Sequence, residues 1–229
     1  MNQQDREYLA KHLSFWRHLT DAERADAEGC TFAAVYPKGK KLYGGNKECL
    51  GLVLVESGQL RAFITSKEGK EISLYRLLSL DVCILSASCM IKNLNFDVNI
   101  EVEKDSRLFV LPTDCFNRLS NENIAVKNFA LELMSARFSE VMWVFDQYVF
   151  GTAAGRLARF LLEHSALEDS DTLRVTHEAI ANDLGTAREV VTRLLKHFAT
   201  DNVVALGRST IQILDKEKLE ELGVSQNEV

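Results

Sequence analysis

Leu9, Leu13, Trp16 and Leu19 form an apolar stripe at helical spacing, and Thr20-Asp21 reads as the start of a second helix. Beyond Tyr36 the period changes. Leu52-Val-Leu-Val, Leu60-Arg-Ala-Phe-Ile-Thr, Glu71-Ile-Ser-Leu-Tyr, Val98-Asn-Ile-Glu-Val and Leu108-Phe-Val-Leu follow one another, with turns at Gly39, Gly44, Gly45, Gly51, Gly58 and Gly69. Closely spaced short strands of this kind predict an antiparallel barrel or sandwich. From Asn123 to Val149 there is neither glycine nor proline, and Leu131, Met134, Phe138, Val141, Phe145 and Tyr148 recur in alternating three- and four-residue steps. Such a seam belongs to a helix of about 27 residues and about 40 Å, longer than one small β-domain covers, and so predicts a dimer interface. After Gly151 helical patterns occupy 153–165, 176–184 and 186–199. Asn202-Val-Val-Ala-Leu, Gly207-Arg-Ser and Thr210-Ile-Gln-Ile-Leu then read as strand, turn, strand. Three helices and a terminal hairpin describe a winged helix-turn-helix.

The pattern predicts an α+β fold in three parts: an antiparallel barrel or sandwich over 1–122, a long central dimerisation helix over 123–150 and a C-terminal winged helix-turn-helix over 151–229. Its chemistry concentrates between Thr176 and His197. Ala179, Ile180 and Leu184 would bury one face of a first helix, Gly185 can take the positive φ of a tight turn, and Thr186 can cap a second helix. Val190, Val191, Leu194 and Leu195 would hold that helix to the core and leave Arg188, Glu189, Thr192, Arg193 and Lys196 outside. Arginine can bond guanine O6 and N7 bidentately, glutamate can accept from cytosine N4, and lysine or threonine can hold phosphate.

Composition adds limits. The 229 residues are 46% hydrophobic and 26% charged with 2 prolines, enough apolar material for one large or two ordinary domains. A net charge of -6 excludes a chain that coats nucleic acid indiscriminately, yet between Gly185 and Arg208 the basic Arg188, Arg193, Lys196 and Arg208 outnumber Glu189 and Asp201. The longest mostly apolar stretch, from Val82 to Ile91, is far shorter than the roughly 20 residues of a membrane helix. The polar start, Met1-Asn-Gln-Gln-Asp-Arg-Glu, is unlike a secretory signal, so a cytoplasmic protein with no membrane partner is expected. Cys30, Cys49, Cys83, Cys89 and Cys115 are widely spread with no Cys-x-x-Cys pair, so neither a zinc site nor a disulfide framework is expected.

Over nearly its whole length the sequence resembles the CRP/FNR family of bacterial transcription regulators. The resemblance runs from Tyr36-Pro-Lys-Gly-Lys-Lys-Leu-Tyr, Val55-Glu-Ser-Gly-Gln-Leu-Arg-Ala-Phe and Glu68-Gly-Lys-Glu through the long helix to the helix-turn-helix and wing. It implies a cyclic-nucleotide-binding-like β-roll that senses an effector, a homodimer, a palindromic double-stranded DNA operator and, for an activator, contact with RNA polymerase. Arg188, Glu189 and Arg193 match the family's base-reading positions, and Thr176, Thr186 and Arg208 look like phosphate contacts, with Thr192 and Lys196 beside them.

Departures from the family narrow the effector. Members that bind cyclic AMP carry Gly-Glu for the ribose and Arg followed by Ser or Thr for the phosphate, and Ile84-Leu85 and Phe96-Asp97 stand at those places. A buried anion needs a cationic or hydrogen-bonding partner, and aspartate repels it, so cyclic AMP is not the expected effector. The clustered N-terminal cysteines of iron-sulfur members are missing, and no histidine occurs between His18 and His164 to build a barrel metal site. His12 and His18 could ligate haem, but read first as surface or partly packed residues. The candidate effector pocket is Cys83, Ile84, Leu85, Ser86, Ser88, Cys89 and Phe96. Within it Cys83 and Cys89 invite a redox role, against which stands the ordinary burial of inert thiols.

The expectation is a sequence-specific DNA-binding regulator, not an enzyme, with no identified cofactor, no metal and no catalytic residue, answering an unknown small-molecule or redox effector. One alternative is a constitutive regulator with a vestigial, self-filled β-roll. A more distant one is an enzyme using the β-roll as a barrel active site, for which no nucleophile-base pair is found.

Overall fold

Two capping boxes start the chain. Asn2 and Asp5 exchange side-chain-to-backbone hydrogen bonds at the head of α1 (Gln3–His12), and Thr20 and Glu23 do the same for α2 (Asp21–Cys30). The 3₁₀ turn Ser14–His18 between them turns Phe15 and Trp16 into the core. The protein is seen here in a computed structural model that describes residues 1–43, 50–84 and 98–224. These form two compact units, Met1–Thr65 with Leu74–Val141, and Ser66–Ser73 with Met142–Val229.

A six-stranded sheet of β1 (Phe32–Tyr36), β2 (Lys41–Tyr43), β3 (Leu52–Thr65), β4 (Glu71–Leu77), β5 (Val82–Cys83) and β6 (Val98–Leu111) belongs to the first unit, except for residues 71–73 of β4, which group with the second. β6 pairs antiparallel with β1, β2 and β3, and β3 with β5. The run Leu52 to Val55 is buried throughout because its two faces serve different clusters. Leu52 and Leu54, with Phe109 and Leu111, pack on the helices around Phe15, Phe116 and Phe129. Val53 and Val55 join Leu60, Leu77, Ile100, Val102, Leu108 and Val110 inside the roll.

Several expected short strands are in fact halves of longer ones. Gly58 does not end a strand: it lies inside β3 at φ 102°, where the register against β6 shifts between Val55 and Leu60. A Cβ on Gly58 would stand 2.5 Å from the Asp105 carbonyl oxygen, so the glycine serves a bulge in a continuous strand. The runs at Val98 and Leu108 likewise belong to one strand, β6.

One further correction concerns α3 (Thr113–Glu122), which precedes α4 (Ile124–Val149). Contrary to the expectation from cysteine spacing, Cys30 and Cys115 form a disulfide, with Cα atoms 6.6 Å apart across 85 residues. Packing of α2 on α3 brings them together, which local spacing could not reveal. Cys83 is a buried thiol, and Cys49 and Cys89 lie outside the described residues. On α4, Leu131, Phe138 and Phe145 are 56%, 68% and 57% exposed, but Met134 and Val141 are half-buried against cores of the same chain. The exposed stripe instead continues through Met142 and Val149, four residues after Phe138 and Phe145.

The second unit contains α5 (Ala153–Glu168), β7 (Thr172–Leu173), α6 (His177–Asp183), α7 (Arg188–Thr200), β8 (Val204–Gly207), β9 (Thr210–Ile213) and α8 (Lys216–Val224). Its sheet has the order β7-β9-β8, and its core gathers Leu157, Leu161, Ile180, Val191, Leu195, Phe198 and Ile211. Neither β7 nor α8 was expected; Leu219 and Leu222 of α8 join that core.

Candidate nucleic-acid interface

Thr176 caps α6, its hydroxyl accepting from the Ala179 amide at 3.1 Å. Ile180 and Ala181 are the fully buried pair, Leu184 is half-buried, and Ala179, expected in the core, is exposed. Gly185 then turns the chain at φ 56°, and a Cβ there would sit 2.5 Å from Ile72 Cγ1. Within this unit Ile72 pairs with Leu184 in a single antiparallel bridge, and the Ser73 hydroxyl donates to the Asp183 carboxylate.

Thr186 does not cap α7. Its amide donates to the Ala181 carbonyl at 3.0 Å, and the capping position is Ala187, which has no side-chain acceptor. The Val190 amide donates to the Ala187 carbonyl at 2.9 Å, and the Arg188 and Glu189 amides are left to water or to an acceptor brought by a ligand, such as a phosphate. At 100° per residue, Arg188, Thr192, Lys196, Glu189 and Arg193 fall within an arc of about 140°, and Val190, Leu194, Phe198, Val191 and Leu195 fill the opposite one. Arg188, Glu189, Arg193 and Lys196 are exposed, Thr192 is half-buried, and together they line a surface concavity of about 450 Å³.

Thr192 works partly inward. Its hydroxyl donates to the Arg188 carbonyl at 2.9 Å, which leaves its lone pairs to accept from His177 Nδ1, also 2.9 Å away. Burial, and after it the Arg188 cation, holds the His177 imidazole below its ordinary pKa, so it is neutral at pH 7 and fixes α6 to α7 as a donor. Arg208 stands exposed on the β8–β9 turn, where Ser209 takes φ 60°. Tyr148, expected in the seam, is half-buried beneath the Arg156 guanidinium, 4.8 Å from its ring.

In the first unit, the described part of the candidate effector pocket divides. Cys83 faces the roll interior and Ile84 packs into the helix-side cluster. Leu85, Ser86, Ser88, Cys89 and Phe96 lie outside the described residues. Arg137 of α4, which sequence reasoning missed, donates to the Val82 carbonyl at 3.1 Å and lies 4.8 Å over the Tyr75 ring. Burial, with Cys83 nearby, pushes the Tyr75 phenol well above its ordinary pKa. Arg76 donates to both oxygens of Glu103, at 2.9 and 3.2 Å, and Arg61 stacks on Phe63 at 4.5 Å. His12 packs at a tilt against Tyr8, their ring centroids 4.4 Å apart, and His18 accepts from Arg17. Among the described residues no three of His, Cys, Asp or Glu come together as a metal site.

The Crp-like helix-turn-helix domain family matches residues 155–222. Beyond that segment, a crystal structure assigned to the CRP/FNR transcriptional regulators, from Eubacterium rectale, is 41% identical to this chain. It superposes with a TM-score of 0.91, over 94% of this chain and 100% of that one. The chain belongs to the CRP/FNR family. Its family comprises transcription regulators, not enzymes. As a CRP/FNR protein it is also 28% identical, over 82% of its length and 86% of the relative's, to the cyclic AMP receptor protein of Thermus thermophilus. With the fumarate and nitrate reduction regulatory protein of Yersinia pestis it shares 25% identity, over 81% and 76% of the two chains.

Proposed function

We propose that this CRP/FNR-type regulator binds a palindromic duplex operator as a homodimer, laying α7 of each protomer in the major groove. The observation that carries the reading is the single exposed arc of α7, opposite an apolar arc that fixes its orientation. Arg188, Glu189 and Arg193 read base edges; Thr176, Thr186, Lys196 and Arg208 hold phosphates, and Thr192 adds its free lone pair or acts through Arg188. Leu131, Phe138 and Phe145, with Met142 and Val149, form the seam between protomers, flanked by Met134, Val141 and Tyr148. The protein acts in the cytoplasm, and an activating member would also touch RNA polymerase.

Lys196→Ala tests the phosphate assignment. A point charge on phosphate contributes affinity without reading sequence, so each lost contact lowers the slope of log affinity against log salt by about 0.9, or about 2 for a dimer. Titration of full-length protein on cognate and unrelated duplexes should show that change on both. An unchanged slope contradicts the assignment.

The β-roll signal is a small molecule or redox change other than cyclic AMP. Arg76 is held by both oxygens of Glu103 and so does not supply the cation that a cyclic phosphate requires, while Arg61 lies 4.5 Å from the Phe63 ring. Cyclic AMP at millimolar concentration should therefore leave Tm and operator affinity unchanged. A ligand at about 100 times its Kd adds about 2.7 kcal/mol of stability, so a rise in Tm that disappears in Arg61→Ala or Arg76→Ala would overturn this. A second reading, a constitutive regulator, is favoured by the apolar side chains that fill the described roll interior. It predicts equal DNA affinity in protein stripped of small molecules and in protein freshly isolated from its host.

A further inference from the structure

Cys30 and Cys115 lie beneath the start of the long helix. Cys30 is the half-buried last residue of α2, and Cys115, 2% exposed, sits in the first turn of α3. Their Cα separation of 6.6 Å is within the range a disulfide spans. Beside the bridge Arg118 donates to both oxygens of Asp26, at 3.1 and 3.0 Å, and so ties the same two helices. Phe116 and Leu119, neighbours of Cys115 on α3, pack with Val126, Phe129 and Ala130 of α4. At the corner between α3 and α4, Asn123 donates to Glu23 and to the His18 carbonyl. The bridge therefore braces α2 against the element from which the long helix starts.

We propose that Cys30 and Cys115 are an exchangeable dithiol–disulfide pair, set by low-molecular-weight thiols and disulfides, whose state governs how firmly the first turns of α4 are held and hence operator affinity. The inference rests on the reading of the chain as a DNA-binding regulator. Such a protein works beside the chromosome, where small thiols keep most cysteines reduced and disulfides are characteristically transient and sensing. Cys30, the more accessible, loses its proton and attacks one sulfur of a small disulfide RSSR, which expels RS⁻. Cys115 loses its proton in turn and attacks Cys30 Sγ, expelling the second RS⁻. The two released protons convert both to RSH. Two protein thiols and RSSR thus become one protein disulfide and two RSH, and reduction runs the same steps backwards.

The test equilibrates the full chain in mixtures of reduced and oxidised glutathione, traps free thiols with iodoacetamide and quantifies the Cys30 and Cys115 peptides by mass spectrometry. Amide exchange over 113–133 and operator affinity are followed in parallel. The two thiols should convert together, and the oxidised form should exchange more slowly there and bind about tenfold more tightly, an ordinary size for coupling between sites. Cys30→Ser, at the half-exposed position, should behave as the reduced form in every mixture. A bridge that survives excess reduced glutathione, a bridge that never forms, or equal affinity of both forms for DNA that both bind overturns the proposal. If neither form binds any duplex while the exchange difference persists, the DNA-binding reading fails and the redox pair stands.

Discussion

Phe138→Glu combined with Phe145→Glu is expected to yield a monomer that has lost tight operator binding. Both rings are mostly exposed in the single chain, 68% and 57%, and lie seven residues apart on one stripe of α4. In a two-fold symmetric pair each new carboxylate would meet the same charge on its mate and be desolvated there, at a cost of several kcal/mol, roughly the whole strength of a modest interface. The monomer keeps one recognition helix but loses the coupling of two half-sites, worth about 10² to 10⁴ in affinity. Light scattering should report the mass of one chain while circular dichroism retains the helical signal. A dimer mass would show that the protomers meet on another face.

Arg193→Ala should abolish discrimination of the operator while leaving the fold intact. Arg193 is exposed on α7 with no part in the core, and a bidentate arginine–guanine contact is worth about 1 to 3 kcal/mol. A symmetric dimer loses it in both half-sites, or about 2 to 6 kcal/mol in all. At fixed salt the loss should appear on the cognate duplex and hardly at all on unrelated DNA, the opposite of the uniform weakening expected for Lys196→Ala. Equal loss on both would reassign Arg193 to phosphate, and unchanged affinity would remove it from the interface.

The helix-turn-helix was the most legible part of the chain because its signals are local. Two apolar faces at helical spacing, Gly185 between them and a hairpin downstream need no distant partner to be read. Thr186 misled for an equally local reason: the turn runs one residue further, so the capping position falls on Ala187. Where tertiary contacts decide, the sequence was weaker. Gly58 looks like a turn, yet pairing with β6 carries the strand through it. Met134 and Val141 belong to the seam by spacing, but cores of their own chain claim them and move the exposed stripe to Met142 and Val149. The Cys30–Cys115 bridge joins positions 85 residues apart, and Arg137 bonds a carbonyl 55 residues away. Neither relation leaves a mark in local pattern.

The central claim, that a homodimer reads duplex sequence through two copies of α7, is tested most directly by selecting bound duplexes from a random-sequence pool with the full-length protein. The enriched sequences should form an inverted repeat whose half-site centres lie about one helical turn, or about 10 bp, apart, with a guanine in each half-site whose selection disappears in Arg193→Ala. A pool that enriches no sequence, or one that enriches a single asymmetric site bound by one chain, would contradict it.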